Sequence, residues 1–188
     1  MHIVNATTPA NLFHMLRLHM KKESRVPLIV FTPKSLLRHP KCVSTLKELE
    51  SGSFLPIIDD AETDRKEVRR LVFCSGKVYY DLLQRKHELN ARDLALVRIE
   101  QIHPFPITKV DEIIKKYPNS MLNLWVQEEP ENMGAWYYIQ NQMKKYNIIP
   151  VTRQPSGSPA TGLNKLHQLS QKEIIDKVFR ECTCELQN

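Results

Sequence analysis

The chain has 188 residues, of which 41% are hydrophobic and 26% charged, with a net charge of +6. That is the balance of a soluble globular protein with a real core, long enough for one ordinary domain or for one domain plus part of another. No run reaches the roughly 18 apolar residues of a membrane span, and the opening MHIVNATTPANLFHM shows no basic stretch followed by an apolar one, so neither a span nor a targeting segment is expected.

Residues 2–5 predict a short strand. TTPANLFHMLRLHMKK predicts a helix, with Thr8 as N-cap and Pro9 at the first helical position, where its missing N–H costs nothing. Leu12, Phe13, Leu16 and Met20 share one face of it. PLIVF at 27–31 has the apolar character of a buried strand. Residues 2–31 thus form one β-α-β unit, too small to be a domain alone. Residues 32–67 break the rhythm with two prolines in TPKSLLRHPKC, a short helix capped by Ser44, and the turn-rich FLPIIDDAETDRKE. This span is expected to be a linker wrapped over a surface.

Alternation then resumes. RLVFCSG is a strand and KVYYDLLQRKHEL a helix capped by Ser75. LALVRIE is a strand that leads into the turn HPFP. TKVDEIIKKY is a helix capped by Thr108, with Val110, Ile113, Ile114 and Tyr117 on one buried face. MLNLWVQ is a strand, AWYYIQNQMKK a helix opened by Gly134, and IIPVTR a strand. After the loop QPSGSPATG comes a last helix, for which Ser170 and Glu173 form a capping box, Leu169 and Ile174 a hydrophobic staple, and Ile174, Ile175, Val178 and Phe179 the apolar face. Four apolar strands separated by helices predict an α/β fold, a mostly parallel sheet with helices on both faces.

Catalytic patterns are scarce. The chain has 5 glycines, and phosphate-cradling loops need glycine for close backbone approach. CSGK resembles half of a P-loop, but Leu71 stands where the first glycine belongs and Val78 where a magnesium-binding hydroxyl belongs. Ser75 would still set backbone N–H groups at the C-terminal end of a strand, where ligands bind in open α/β sheets. His14 and His19 are five apart on one helix and point about 140° apart, so they cannot converge on an ion. His103 precedes Pro104 and reads as structural. Cys74 reads as a small core residue, and Cys182-x-Cys184 lacks two further metal ligands nearby. No metal site is expected.

Two stretches stay open. Residues 1–41 hold seven basic side chains and one acidic one, equal to the whole net charge. Such a cluster is a solvated face, an interface with an acidic neighbour, or a phosphate site. The absence of a recognition motif with interleaved aromatics argues against nucleic acid. In WVQEEPENMGAW, Glu128 and Glu129 suggest a catalytic carboxylate pair. As neighbours on a strand they should instead point to opposite faces, and carboxylates before a helix N-terminus are stabilising by about 0.3–1 kcal/mol.

Six segments in order, TTPANLFHMLR, PLIVFTPKSLLRHP, FCSGKVYYDL, VRIEQIHPFP, VQEEPENMGAW and GSPATG, resemble the C-terminal end of the thiamine-diphosphate-dependent decarboxylase component of 2-oxoglutarate dehydrogenase. The 2-oxoadipate enzyme is the nearest confusable relative. The resemblance spans nearly all of the chain and implies a C-terminal fragment. Residues 1–32 would be the last β-α-β of a pyrimidine-binding domain, 33–67 a linker, and 68–188 a transketolase-like C-terminal domain.

The resemblance implies a parent that decarboxylates 2-oxoglutarate oxidatively in the tricarboxylic acid cycle and passes the succinyl group to a lipoyl succinyltransferase. That parent would use thiamine diphosphate and magnesium, in a bacterial cytoplasm or a mitochondrial matrix. No Gly-Asp-Gly occurs here, so no catalytic or cofactor-binding residue carries over, and the fragment alone is expected to be inactive. It would act as scaffold and homodimer surface, with Glu128, Glu129 and Trp136 as interface candidates. The alternative is a regulatory module at the domain junction binding AMP or acyl-CoA, with Arg25, Lys34, Arg38 and His39 as the phosphate contacts.

Overall fold

A computed structural model describes residues 1–180. The larger sheet has the strand order β3-β5-β4-β7-β8, built from β3 (Ile57–Ile58), β4 (Arg70–Cys74), β5 (Leu94–Ile99), β7 (Leu122–Pro130) and β8 (Ile148–Arg153). All neighbours are parallel except β3, which pairs antiparallel with β5 at one edge.

Alternation along β4 explains its wholly apolar sequence. Leu71 and Phe73 face one core with Val97, Trp125 and, from α4 (Ile107–Lys116) and α5 (Trp136–Gln142), Val110, Ile113, Trp136 and Ile139. Val72 and Cys74 face the other, with Val78 and Leu82 of α3 (Val78–Leu89) and Ile174, Ile175 and Val178 of α6 (Asn164–Phe179). A strand covered on both faces needs no polar side. The mostly parallel sheet with helices on both faces is therefore the observed fold. Burial pushes the Cys74 thiol up to about 12, which makes it a packing residue rather than a nucleophile.

A second sheet has the order β2-β1-β6, with β1 (His2–Val4) and β2 (Leu28–Val30) parallel and β6 (Gln101–His103) antiparallel to β1. Helix α1 (Pro9–Lys21) is the crossover between β1 and β2. One residue, Glu100, separates β5 in the larger sheet from β6 in the smaller one. The span 33–67 holds a 3-10 turn (Lys34–Arg38), α2 (Leu46–Ser51) and β3.

Several expectations about helix ends and faces are corrected. The final helix begins at Asn164, so Ser170 and Glu173 lie inside it and form no cap. The capping-box pattern recurred there within a helix that good formers had already started. Helix α2 is capped by Thr45, in a capping box with Glu48, while the Ser44 hydroxyl accepts the Ala10 amide at 3.0 Å. Helix α4 follows Pro106 with no side-chain cap, so Thr108 is already helical. Helix α5 starts at Trp136, and Gly134 sits in the preceding turn with φ +66°. Ser75 does not cap α3, which follows Lys77. Thr8 caps α1 as expected.

On α1 the apolar stripe faces outward, with Phe13, Leu16 and Met20 47%, 49% and 66% exposed. Asn11 and His14 are buried instead. Asn11 exchanges hydrogen bonds with Leu55 through its carboxamide, and His14 Nε2 lies 2.7 Å from the Glu48 carbonyl oxygen. These polar anchors rotate the helix. Cys182 and Cys184 lie outside the described residues.

Candidate functional site

The two sheets meet at Glu100. Its side chain is buried where β5 becomes β6. The loop between β1 and α1 and the first turn of α1 supply three donors to it: the Thr7 amide at 2.8 Å, the Thr7 hydroxyl at 2.5 Å and the Asn11 carboxamide at 2.9 Å. Arg98 donates to the Thr7 hydroxyl at 2.9 Å, and its guanidinium lies over the Tyr79 ring at 4.1 Å. The Thr7 carbonyl accepts from Tyr80 at 2.5 Å and from the Cys42 thiol at 3.2 Å. Every polar group of Thr7 is thereby used. Burial pushes the Glu100 carboxyl up from its usual range, although Arg98, Thr7 and Asn11 oppose that shift.

The ligand locus of an open α/β sheet lies where successive crossovers diverge, at strand C-termini. Chain order makes that point the gap between β4 and β7. Lys77, just past β4, is ion-paired there to Glu128 of β7. Gln171 of α6 donates to the same carboxylate at 2.9 Å and to Asp81 at 2.9 Å. The crevice is thus bridged from within.

Glu129 points the other way, toward a cavity of about 290 Å³ between the two sheets. Phe31, Trp125, His103 and Tyr138 contribute to its walls, and the strand ends Asn5, Ser75 and Glu129 contribute polar groups. His103 Nδ1 is 2.9 Å from the Tyr138 hydroxyl. Asn5 Oδ1 and Ser75 Oγ are buried without partners among the described residues. Gly76, with φ +76°, passes so close to Asn5 that a Cβ would lie 2.4 Å from its amide nitrogen. Among the described residues no hydrogen bond joins Ser75 to a base, so the cavity can seat an apolar group but has no paired nucleophile.

Between β7 and α5 the buried Gln127 organises the turn. Its oxygen accepts from Trp125 Nε1 at 3.0 Å, and its nitrogen donates to the carbonyls of Pro130 at 3.1 Å and Met133 at 2.8 Å. Trp125 and Trp136 pack in the core at 0% and 2% exposure.

The anticipated phosphate contacts are only partly together. Lys34 and Arg38 share one exposed 3-10 turn, and the ring of His39, next to Arg38, lies 4.5 Å from that of Tyr80. Arg25 precedes β2 whereas Lys34 follows it, so strand β2 separates them. Sequence reasoning missed Glu100, Thr7 and Asn11. Its one available signal was a lone acid directly after a fully buried strand.

The family model described as 2-oxoglutarate dehydrogenase C-terminal matches residues 43–179. The 2-oxoglutarate dehydrogenase E1 component of Azotobacter vinelandii is 43% identical over 182 residues, covering 92% of this chain and 19% of its own length. The 2-oxoadipate dehydrogenase complex component E1 of Rattus norvegicus is 42% identical over 185 residues, covering 95% and 20%. The mitochondrial 2-oxoglutarate dehydrogenase of Caenorhabditis elegans is 43% identical over 188 residues, covering 94% and 18%. The chain thus spans about a fifth of these curated relatives. A solved chain described as a split gene transketolase, inactive beta4 tetramer, shares the fold at a TM-score of 0.60 and 10% identity, over 94% of this chain and 56% of that one.

Proposed function

Because the chain belongs to the 2-oxoglutarate dehydrogenase C-terminal family, we propose that it serves a 2-oxoglutarate dehydrogenase E1 component as its transketolase-like scaffold and domain seam, not as its catalytic centre. On this reading the whole enzyme decarboxylates 2-oxoglutarate oxidatively in the tricarboxylic acid cycle, in a bacterial cytoplasm or a mitochondrial matrix. It works as a homodimer and hands the succinyl group to a lipoyl succinyltransferase. Residues 1–32 close a pyrimidine-binding domain, 33–67 connect, and 68–188 form the third domain. Glu129 then lies along the seam, with Glu128 behind it, whereas Trp136 is a core residue of the larger sheet.

Thiamine diphosphate supplies the electron sink when it is bound. The residues here do not fit its cradle. No Gly-Asp-Gly occurs, and among the described residues no three His, Cys, Asp or Glu side chains converge as a metal site. No step of the reaction is routed through them.

The observation that carries the reading is the Glu100 clamp. A buried carboxylate saturated by donors from the β1–α1 segment of the other sheet suits a joint between domains. The test is a chimaera in which this chain replaces the matching segment of the Azotobacter vinelandii E1 component. The expected result is CO2 release from 2-oxoglutarate by the chimaera and none by the chain alone. Decarboxylation by the isolated chain, or a folded but inactive chimaera, overturns the reading. A preference for 2-oxoadipate overturns the substrate assignment.

A second reading, an AMP or acyl-CoA effector site, rests on Lys34 and Arg38. Both are exposed on one turn and make no ion pair among the described residues. Calorimetry with AMP and acetyl-CoA should show a saturable site abolished by Arg38→Ala. Absence of heat at millimolar ligand removes that reading.

A further inference from the structure

A second cleft, of about 480 Å³, opens at the far edge of the larger sheet. It lies between the C-terminal end of β8, the loop 154–163 and the outer face of α6. Arg153 ends β8 and is half-buried. Its Nη2 donates to His167 Nδ1 and to Gln171 Oε1, both at 3.1 Å. Both acceptors are neutral: a histidine that accepts from a guanidinium through Nδ1 carries its proton on Nε2. Gln171 spends its amide nitrogen on Asp81 and Glu128, which turns its oxygen toward Arg153. Arg153 therefore has no carboxylate partner among the described residues, and its Nε is buried without any partner.

Lys177 lines the same cleft and is half-buried. Its ammonium makes neither an ion pair nor a hydrogen bond among the described residues. Of the described residues lining the cleft, Glu173 alone is acidic, and it is exposed. A half-buried charge without a counter-ion is costly unless a ligand supplies one. A guanidinium fork suits an oxyanion above all. Thr161 and Ser170 add hydroxyls that make no hydrogen bond within the described chain. The loop that carries the other hydroxyls is held in place by Asn132. Its amide donates to the Ser156 carbonyl at 2.9 Å and its oxygen accepts the Ser156 amide at 3.0 Å.

We propose that this cleft is a binding site for a phosphate monoester, with Arg153 and Lys177 holding the phosphoryl oxygens and the loop and helix hydroxyls completing the shell. Three terminal oxygens match two cations plus hydroxyl donors better than the two of a carboxylate. Arg25, Lys34, Arg38 and His39 do not line the cleft. The proposal stands whether or not the scaffold reading holds.

The test titrates the intact chain with inorganic phosphate and with glycerol 3-phosphate, following backbone amide shifts, against acetate and chloride at matched ionic strength. The expected result is a saturable shift of the amides of residues 156–158, 160 and 161 with both phosphates. Arg153→Gln weakens it about tenfold or more, the loss of one charged hydrogen bond. Lys177→Met weakens it about threefold, and Arg38→Ala leaves it unchanged. Should Arg153→Gln fail to fold, as judged by its amide spectrum, Lys177→Met decides. No saturable shift, shifts confined to other residues, or unimpaired binding by the folded variants overturns the site. Equal binding of acetate overturns the choice of ligand.

Discussion

Glu100 concentrates the physical chemistry of this protein in one side chain. Three buried donors from Thr7 and Asn11 converge on it, so Glu100→Ala leaves them all unmade. We expect a loss of about 3 kcal/mol in urea unfolding. The pH dependence has a definite sign. Burial raises the folded carboxyl above its unfolded value of about 4.3, so the folded chain holds that proton more tightly. Glu100's contribution is fully present below the unfolded value and is lost as pH rises through the folded one. The stability of wild type relative to Glu100→Gln should therefore fall across that window; a difference that is flat or rises with pH contradicts the assignment. Gln127 is the second such residue. Gln127→Leu strands the Trp125 N–H and the carbonyls of Pro130 and Met133. It should cost about 2–3 kcal/mol, read by the same unfolding measurement.

Among the elements, α6 and α1 differ from their sequence patterns in opposite ways. Ser170 looks like a cap but sits inside α6, whereas Thr8 looks like a cap and is one. Ser170→Ala should be neutral or stabilising by about 0.5 kcal/mol in the unliganded chain. Thr8→Ala should cost about 1 kcal/mol. Paired denaturation curves separate the two. The loop before β4 is fastened by a buried pair, Lys86 Nζ to Asp60 Oδ2 at 2.6 Å, with the Leu96 amide also on that oxygen at 2.9 Å. Burial alone would raise the Asp60 carboxyl, but the Leu96 amide and Lys86 outweigh it and hold it below its usual range. Asp60 thus contributes stability present above about pH 3.9 and lost as pH falls through its folded value. Lys86→Ala, which strands that carboxylate, should cost about 3–5 kcal/mol.

At the scale of the molecule, two sheets of unequal size are joined by three passages of the chain, β2 to β3, β5 to β6 and β6 to β7, and by one buried carboxylate. The outward stripe of α1 leaves Phe13, Leu16 and Met20 at the surface. Exposed apolar surface of that kind favours association. Sedimentation should show concentration-dependent self-association of residues 1–188, reduced in the double variant Phe13→Lys, Leu16→Lys without loss of melting temperature. A chain that stays monomeric at every concentration would show that this stripe is inert.

What was legible in the sequence was whatever local periodicity encodes. Unbroken apolar runs such as LVFC announced strands covered on both faces. The spacing of Val110, Ile113 and Tyr117 announced the buried side of α4, and the period of two announced that Glu128 and Glu129 diverge. Even the Thr8–Pro9 helix start could be read, because a cap is made by neighbours in sequence. Only the tertiary structure decided the rest. The two-residue strand β3 is too short to carry a pattern. Helix α1 turned its polar side inward because Leu55, Glu48 and Glu100 wait there, and such partners lie 34 to 89 positions away along the chain. The Glu100 joint and the uncompensated charge of Arg153 are likewise sums over distant residues. Periodicity reports what a residue prefers beside its neighbours, and long-range hydrogen bonding settles which of those preferences the folded chain overrides.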